Sequence, residues 1–189
     1  MSSLLPLTVA VVGGWLASRT YAGRRVTRRL REAERVPVEA VSDTDGVVRV
    51  EGTVAADETT RARLLETDGV AVTTRVAERD SRPADEDSEP MWNEVAADTA
   101  HTQFHVTDDT GSVEVRVPDE GRVALGGESV ESAAKTTVES AAGETPPAAA
   151  RDVAAAVGLD IAPDETRRFE QRVLEDGDRA VVVGEPTRG

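Results

Sequence analysis

Residues 167–185 read RRFEQRVLEDGDRAVVVGE, and this stretch decides the fold class. Two candidate strands, Arg167–Leu174 and Arg179–Val183, bracket Glu175-Asp176-Gly177-Asp178. Period-two alternation marks a half-buried strand. Asp-Gly at the centre of a polar quartet marks a hairpin turn, with glycine where a positive φ is needed. The two runs are therefore expected to pair with each other. Val173 alternates with Arg172 and Leu174, and Val181 shares a face with Val183, so each strand turns one face inward. Pairing of this hairpin with Val47–Val54 would seal the sheet and remove two exposed edges.

The same signals recur upstream. Val47–Val54 (VVRVEGTV) alternates around a central glycine, which predicts a strand with a bulge or a close approach at Gly52. Residues 57–67 are polar and suit a short helical turn. Gly69–Glu78 (GVAVTTRVAE) is a second strand candidate. Residues 80–94 (DSRPADEDSEPMWNE) are acidic and contain proline, the composition of a long loop. His101–Thr107 and Ser112–Val117 flank Asp108-Asp109-Thr110-Gly111, a second hairpin with Gly111 at the position that favours positive φ. Residues 126–147 are rich in Ala, Ser, Glu and Thr and suit a mobile or partly helical loop. Pro147–Val157 (PAAARDVAAAV) predicts a helix stopped by Gly158. Five to seven short strands with glycine turns and one or two short helices give a mainly β fold: a small OB-like β-barrel or a sandwich, not an α/β nucleotide fold.

Composition limits the chemistry. The chain has 189 residues, no Cys, and an aromatic content of 3%, so its core must be built from Val, Leu, Ile and Ala. Without Cys there are no disulfides, thiolate zinc sites, iron–sulfur clusters or cysteine nucleophiles. Lys and Arg total 22, and Lys135 is the one lysine. A net charge of −14 with almost no lysine suggests a halophile protein, whose surface repulsion molar salt screens; the plainer alternative is an acidic protein from a high-GC genome.

The charge is lopsided. Residues 1–36 carry seven arginines (Arg19, Arg24, Arg25, Arg28, Arg29, Arg31, Arg35) against Glu32 and Glu34, a net of +5; the remainder is −19. Ahead of the arginines, Ser2–Ser18 (SSLLPLTVAVVGGWLAS) holds no charge. Seventeen residues is the short end of what a membrane-spanning helix needs, about 17–25. A cleaved signal peptide would place its positive charge before the apolar run, and a soluble core helix would not be apolar all round. A signal anchor with its N-terminus outside satisfies the positive-inside rule. On this reading residues 1–22 form the anchor, with Trp15 and Tyr21 at the interface, Arg19 snorkelling to the headgroups, and Arg24, Arg25 and Arg28 against anionic lipid. Residues 23–36 form a basic juxtamembrane helix ending at Pro37. Residues 37–189 form a cytoplasmic body, making this a single-pass protein of the cell membrane.

The body resembles the GIDE domain, also called BAM ("beside a membrane"), of membrane-anchored E3 ubiquitin ligases of the Mulan type. The resemblance rests on VEGTV (Val50–Val54), GVAVTTRV (Gly69–Val76), a lone Trp92 after an acidic loop, FHVTDDTG (Phe104–Gly111), and RRFEQRVLEDGDRAVVVGE (Arg167–Glu185), all preceded by an apolar segment. It spans residues 47–185 with gaps. It implies the domain's fold and a place beside a membrane. Those ligases continue into a RING whose cysteines hold zinc; no RING can be built without thiolates, so ligase activity does not carry over.

Other sites have ordinary explanations. His101 and His105, four apart on one expected strand, would share a face, but two imidazoles fall short of a zinc site. Asp43-Thr44-Asp45-Gly46 and Asp108-Asp109-Thr110-Gly111 look like the starts of calcium loops, yet position 12 is Val54 in one and Asp119 in the other, not the bidentate glutamate. Glu170 and Glu175 flank the last turn and could do acid/base work as a pair, but among 36 acids such pairs arise by chance. No G-x-S-x-G, Walker A or H-E-x-x-H motif occurs. No cofactor is expected. Phe104 and Phe169 are the expected aromatic core anchors, and Trp92 is the candidate partner contact. The expectation is a binding or scaffolding module whose partners are the lipid bilayer and another membrane protein or peptide. The alternative is the substrate-holding subunit of a split E3-ligase-like or hydrolytic membrane complex. A single-stranded nucleic-acid binder would need a basic groove and stacking aromatics, which this acidic body lacks.

Overall fold

The computed structural model describes residues 6–9, 33–80, 90–117 and 133–187. In chain order the strands are β1 (Pro6–Val9), β2 (Glu34–Arg35), β3 (Val48–Ala55), β4 (Thr60–Ala62), β5 (Thr67–Gly69), β6 (Ala71–Arg79), β7 (Trp92–His101), β8 (Phe104–Asp108), β9 (Gly111–Arg116), β10 (Ala134–Ser140), β11 (Arg167–Leu174) and β12 (Arg179–Pro186). A 3-10 helix covers Val38–Asp43, and helix α1 covers Ala148–Ala156. The fold is mainly β, as the alternating patterns require.

The described strands form two large sheets and the two-stranded pair β4–β5. In the first, β12, β3, β8 and β9 are antiparallel neighbours curled into a half-barrel, with β2 alongside the start of β3. Alternation along β3 sends Val48, Val50 and Val54 inward, where they meet Phe104, Val106, Val113, Val115, Ala180 and Val182. Gly52 is also on the inner face, and the expected close approach is there: a Cβ on it would lie 2.4 Å from the carbonyl oxygen of Thr107 on β8. The second sheet runs β10–β11–β6–β7, antiparallel throughout. Helix α1 lays Ala150, Val153 and Ala154 on Phe169 and Val76, covering one face of that sheet. The expected helix stop is also present, with Gly158 at φ +68. The sheets meet where Val70, Ala71 and Leu174 join the core of the half-barrel.

Several expectations are corrected. The stretch 167–185 is not a hairpin. β11 pairs with β6 and β10, whereas β12 pairs with β3 from Arg179↔Thr53 to Gly184↔Val48. The quartet Glu175–Asp178 is a corner between sheets. Its backbone closes on itself through Asp178 N–H to the Glu175 carbonyl (3.3 Å) and also bonds to β3: Gly177 N–H donates to the Val54 carbonyl (2.9 Å), and Val54 N–H donates to the Asp178 carbonyl (2.8 Å). Gly177 has φ +87, as the Asp-Gly signal requires, but turn chemistry alone does not say which strand comes next. On β12 Val181 and Val183 share a face, as expected, and the face that joins the core of the half-barrel is that of Ala180 and Val182.

Residues 57–67 hold the β4–β5 hairpin, not a helical turn; the Thr60 and Thr67 strands flank residues 63–66, where Glu66 takes φ 54. The stretch 126–147 contains β10, because its Ala/Thr/Val alternation pairs with β11 along seven residues; residues 118–132 lie outside the described residues. The 80–94 loop ends early, with Trp92 opening β7; residues 81–89 lie outside the described residues. The β8–β9 hairpin is present, but Gly111 is not at positive φ: the Asp108 carboxylate holds the two-residue turn instead.

At the N-terminus, Glu34–Arg35 is a strand parallel to Val48–Arg49 rather than the end of a helix. Within the apolar run, Pro6–Val9 is a strand lying between β12 and β9, not a turn of helix. The rest of the expected anchor and juxtamembrane helix, including Trp15, Arg19, Tyr21, Arg24, Arg25 and Arg28, lies outside the described residues. Among the described residues no helix is long and apolar enough to cross a membrane.

Candidate functional site

The face of the second sheet opposite α1 carries seven charged side chains that the fold brings into register. Opposite the face that α1 covers, three rows cross the four strands. They are Lys135–Arg172–Thr73–Thr99, Thr137–Glu170–Arg75–Ala97, and Glu139–Arg168–Ala77–Glu94. Lys135 bonds Glu170 at 2.9 Å, Arg172 bonds Glu170 at 3.0 Å, and Arg168 bonds Glu139 at 2.7 Å. Arg75 lies 3.7 Å from Glu94. The one lysine of the chain is thus placed in a ladder of ion pairs, where Glu170 separates Lys135 from Arg172. Burial pushes the Glu170 carboxyl up, but hydrogen bonds and charge from Lys135 and Arg172 outweigh it and hold the group below the ordinary value of 4.5. A general acid needs the opposite shift. Glu175 sits in the corner after β11, so the two carboxylates belong to a ladder and a turn respectively.

Trp92 stands at the corner of this face, opposite Arg79. The Arg168 guanidinium stacks on its ring, 4.0 Å from the centroid, and the same guanidinium reaches Glu139. The ring is half-buried, not freely exposed. Next to it are the two large apolar side chains that are exposed among the described residues, Met91 and Val95. Val95 is the extra residue where the β6–β7 register shifts, a bulge on an edge strand. Trp92 and Val95 therefore fall in the first four residues of β7, and Met91 immediately precedes it.

The histidines separate. His101 ends β7 in the second sheet, and His105 lies in β8 in the first, because the chain changes sheet at Thr102-Gln103. Among the described residues no group of three or more His, Asp or Glu side chains could hold a metal ion. The turn acids serve as staples. Asp108 Oδ1 accepts from Thr110 N–H, Thr110 Oγ1 and Gly111 N–H, while Oδ2 accepts from Val38 N–H of the 3-10 helix at 2.9 Å. Burial raises the Asp108 carboxyl, but those hydrogen bonds, led by Thr110 Oγ1, bring it below the ordinary value of 3.8. Asp176 Oδ1 accepts from Ala56 N–H, and Asp178 Oδ2 accepts from Glu175 N–H.

Two buried polar groups escaped the sequence reading. Arg167, 4% exposed, donates to the Asp160 carbonyl, Glu78 (3.0 Å) and Glu165; its Nε has no partner. Gln171 accepts from Leu64 N–H at 2.8 Å and donates to Thr74 Oγ1 at 2.9 Å, pinning the β4–β5 turn to the sheet. Their signal was present in the alternation Arg167-x-Phe169-x-Gln171-x-Val173: once Phe169 and Val173 point inward, so must the other two. Phe104 and Phe169 are core anchors, one in each sheet.

No protein family matches the chain, and neither a curated protein nor a solved structure matches it. The resemblance to the GIDE domain rests on the quoted motifs alone.

Proposed function

We propose that this chain is a membrane-anchored binding or scaffolding module of the GIDE/BAM type, with an OB-like barrel on the cytoplasmic side and no catalysis of its own. The observation that carries the reading is the charge-free run Ser2–Ser18 followed at once by seven arginines, ahead of a body of net −19. The fold is consistent with it in one respect. The motifs of the resemblance fall on framework strands: VEGTV on β3, GVAVTTRV leading into β6, FHVTDDTG on β8 and its turn, and the last stretch on β11 and β12. The carboxylates best placed for chemistry are engaged, Glu170 in the ion-pair ladder and Asp108 and Asp178 in turns. Trp92 with Met91 and Val95 is the contact offered to a partner, a membrane protein or a peptide.

Alkaline carbonate extraction of native membranes tests the anchor, and protease added to right-side-out vesicles tests its direction. The full chain stays in the pellet and residues 37–189 survive the protease. Release into the carbonate supernatant sinks the anchor, and digestion of the body sinks the topology. Replacing the seven arginines by Gln scrambles the orientation.

A further inference from the structure

The apolar N-terminal run has two uses that exclude each other. In the fold, Leu7, Thr8 and Val9 stand opposite Pro186, Glu185 and Gly184 of β12, antiparallel. On the other side Pro6, Leu7 and Thr8 stand opposite Glu114, Val115 and Arg116 of β9, parallel. β1 thus bridges the two free edges of the half-barrel. With Pro6–Val9 held there, residues 10–18 are all that remain between β1 and Arg19. As a helix, those nine residues reach about 14 Å. The hydrocarbon core is about 30 Å thick, and a lone segment can cross it only as a helix. A chain with β1 docked cannot also be anchored by this run.

In the closed form the strands on either side of β1 are buried around the junction. Val113, Glu114 and Val115 are buried in succession on β9, as are Val182, Val183 and Gly184 on β12. Successive strand residues face opposite ways, so three buried in a row means both faces are covered at that point. One of them is a carboxylate: Glu114, opposite Pro6, is held by Gln103 and Arg116.

We propose that Pro6–Val9 is an exchangeable closing strand. Out of the bilayer it docks between β9 and β12. When residues 2–18 insert, it withdraws and leaves a slot lined by two unpaired strand edges, which accepts an extended apolar segment parallel to β9 and antiparallel to β12. Its occupant in the closed form is this chain's own N-terminal strand. The inserted state rests on the anchor proposed above; the docked state does not.

Because the chain has no Cys, an introduced pair is unique. Opposite residues of antiparallel strands have Cα atoms about 4.5–5.5 Å apart, within disulfide reach. The full chain carrying Thr8→Cys and Glu185→Cys is oxidised in molar KCl, first without lipid and then after reconstitution into phosphatidylglycerol vesicles isolated by flotation. The pair Thr8→Cys and Arg116→Cys repeats the test on the β9 side, and Thr8→Cys with Glu94→Cys measures chance collision. The expected result is a cross-link without lipid for the first two pairs, and its loss in the floating fraction. A synthetic peptide of residues 3–11 with Thr8→Cys then cross-links to the Glu185→Cys chain in the floating fraction and not in the lipid-free one. No cross-link above the Glu94→Cys control without lipid overturns the docked strand. A cross-link that persists in floating chains overturns the exchange and leaves the anchor standing. Failure of the peptide to react with floating chains overturns the vacated slot. Chains that do not float while the cross-link forms overturn the anchor, and the exchange with it.

Discussion

The two sheets are held together by different means. The half-barrel β12–β3–β8–β9 has an interior of Val, Ala and one Phe, and its strands approach so closely that Gly52 admits no side chain. The sheet β10–β11–β6–β7 buries Arg167, Gln171 and Thr74 among its apolar residues and lies under a helix. In the first, position is set by shape: a dry aliphatic core has no directional bonds and relies on packing. In the second, it is set by polar contacts, since a buried guanidinium or amide is tolerated only where its partners are fixed. The junction of Val70, Ala71 and Leu174, crossed by the Val70 N–H to Leu174 carbonyl bond at 2.8 Å, couples the two.

The sharpest way to break that contrast is to hollow each core separately. Phe104 is the largest fully buried side chain of the half-barrel, and Phe169 has the same place in the second sheet. Phe104→Ala and Phe169→Ala should each cost about 3–5 kcal/mol. Because the sheets share a junction, each variant should still melt in one transition, followed by urea titration in molar KCl with both tryptophan fluorescence and circular dichroism. Two separated transitions in either variant would show that the sheets fold independently and that the junction does not couple them.

The close approach at Gly52 gives the next largest effect. A methyl there meets the Thr107 carbonyl at 2.4 Å and the Val106 side chain at 2.8 Å, and the carbonyl belongs to the paired backbone of β8. Gly52→Ala should therefore cost about 3 kcal/mol, at the upper end of overpacking penalties. Hydrogen exchange should locate the loss in β3 and β8 first. An unchanged urea midpoint would mean that the strands can separate by the needed ångström, and that shape does not fix this half of the molecule.

This contrast also explains what the sequence revealed. β3, β8 and β9 were legible because one face is apolar and the other polar, so period two is visible, and Gly52 stood out within that pattern; β12 was legible as a valine run after an Asp-Gly turn. The second sheet was harder. β10 hides in a run of Ala, Ser, Thr and Glu, since its partner β11 supplies the large side chains. Arg167 and Gln171 looked like outward positions because charged and amide groups usually are. The stretch 167–185 misled for a more general reason. Asp176-Gly177 announces a reversal, but nothing local distinguishes a reversal onto the preceding strand from a corner that passes to another sheet. The choice is made by Val54, whose backbone takes both Gly177 and Asp178, more than 120 residues away in sequence. The candidate face was less legible still: Trp92 could be named, but its stacking partner Arg168 depends on the β11–β6–β7 register, which no local pattern encodes.

Asp108 gives the smallest effect and tests whether polar staples matter in the sheet otherwise held by shape. Its carboxylate accepts from Thr110 N–H, Thr110 Oγ1, Gly111 N–H and Val38 N–H, tying the β8–β9 turn to the 3-10 helix. By analogy with an acidic helix cap, Asp108→Ala should cost about 1 kcal/mol at pH 7. Asp109→Ala, exposed in the same turn, should change stability by less than about 0.5 kcal/mol. The pH dependence fixes the cause. The folded carboxyl lies below 3.8 and the unfolded one near it, so at neutral pH both are ionised and the native bonds count in full. As pH falls below 3.8 the unfolded chain takes up a proton that the native turn still refuses, and stability drops until the native carboxyl is itself protonated. The gap between wild type and Asp108→Ala should therefore be widest at neutral pH and close as the solution is acidified through that window, measured by urea midpoints at fixed molar KCl. A gap that stays constant down to pH 3 and below would show that the side chain acts through its shape and not its charge, and would place this turn with the packing that surrounds it.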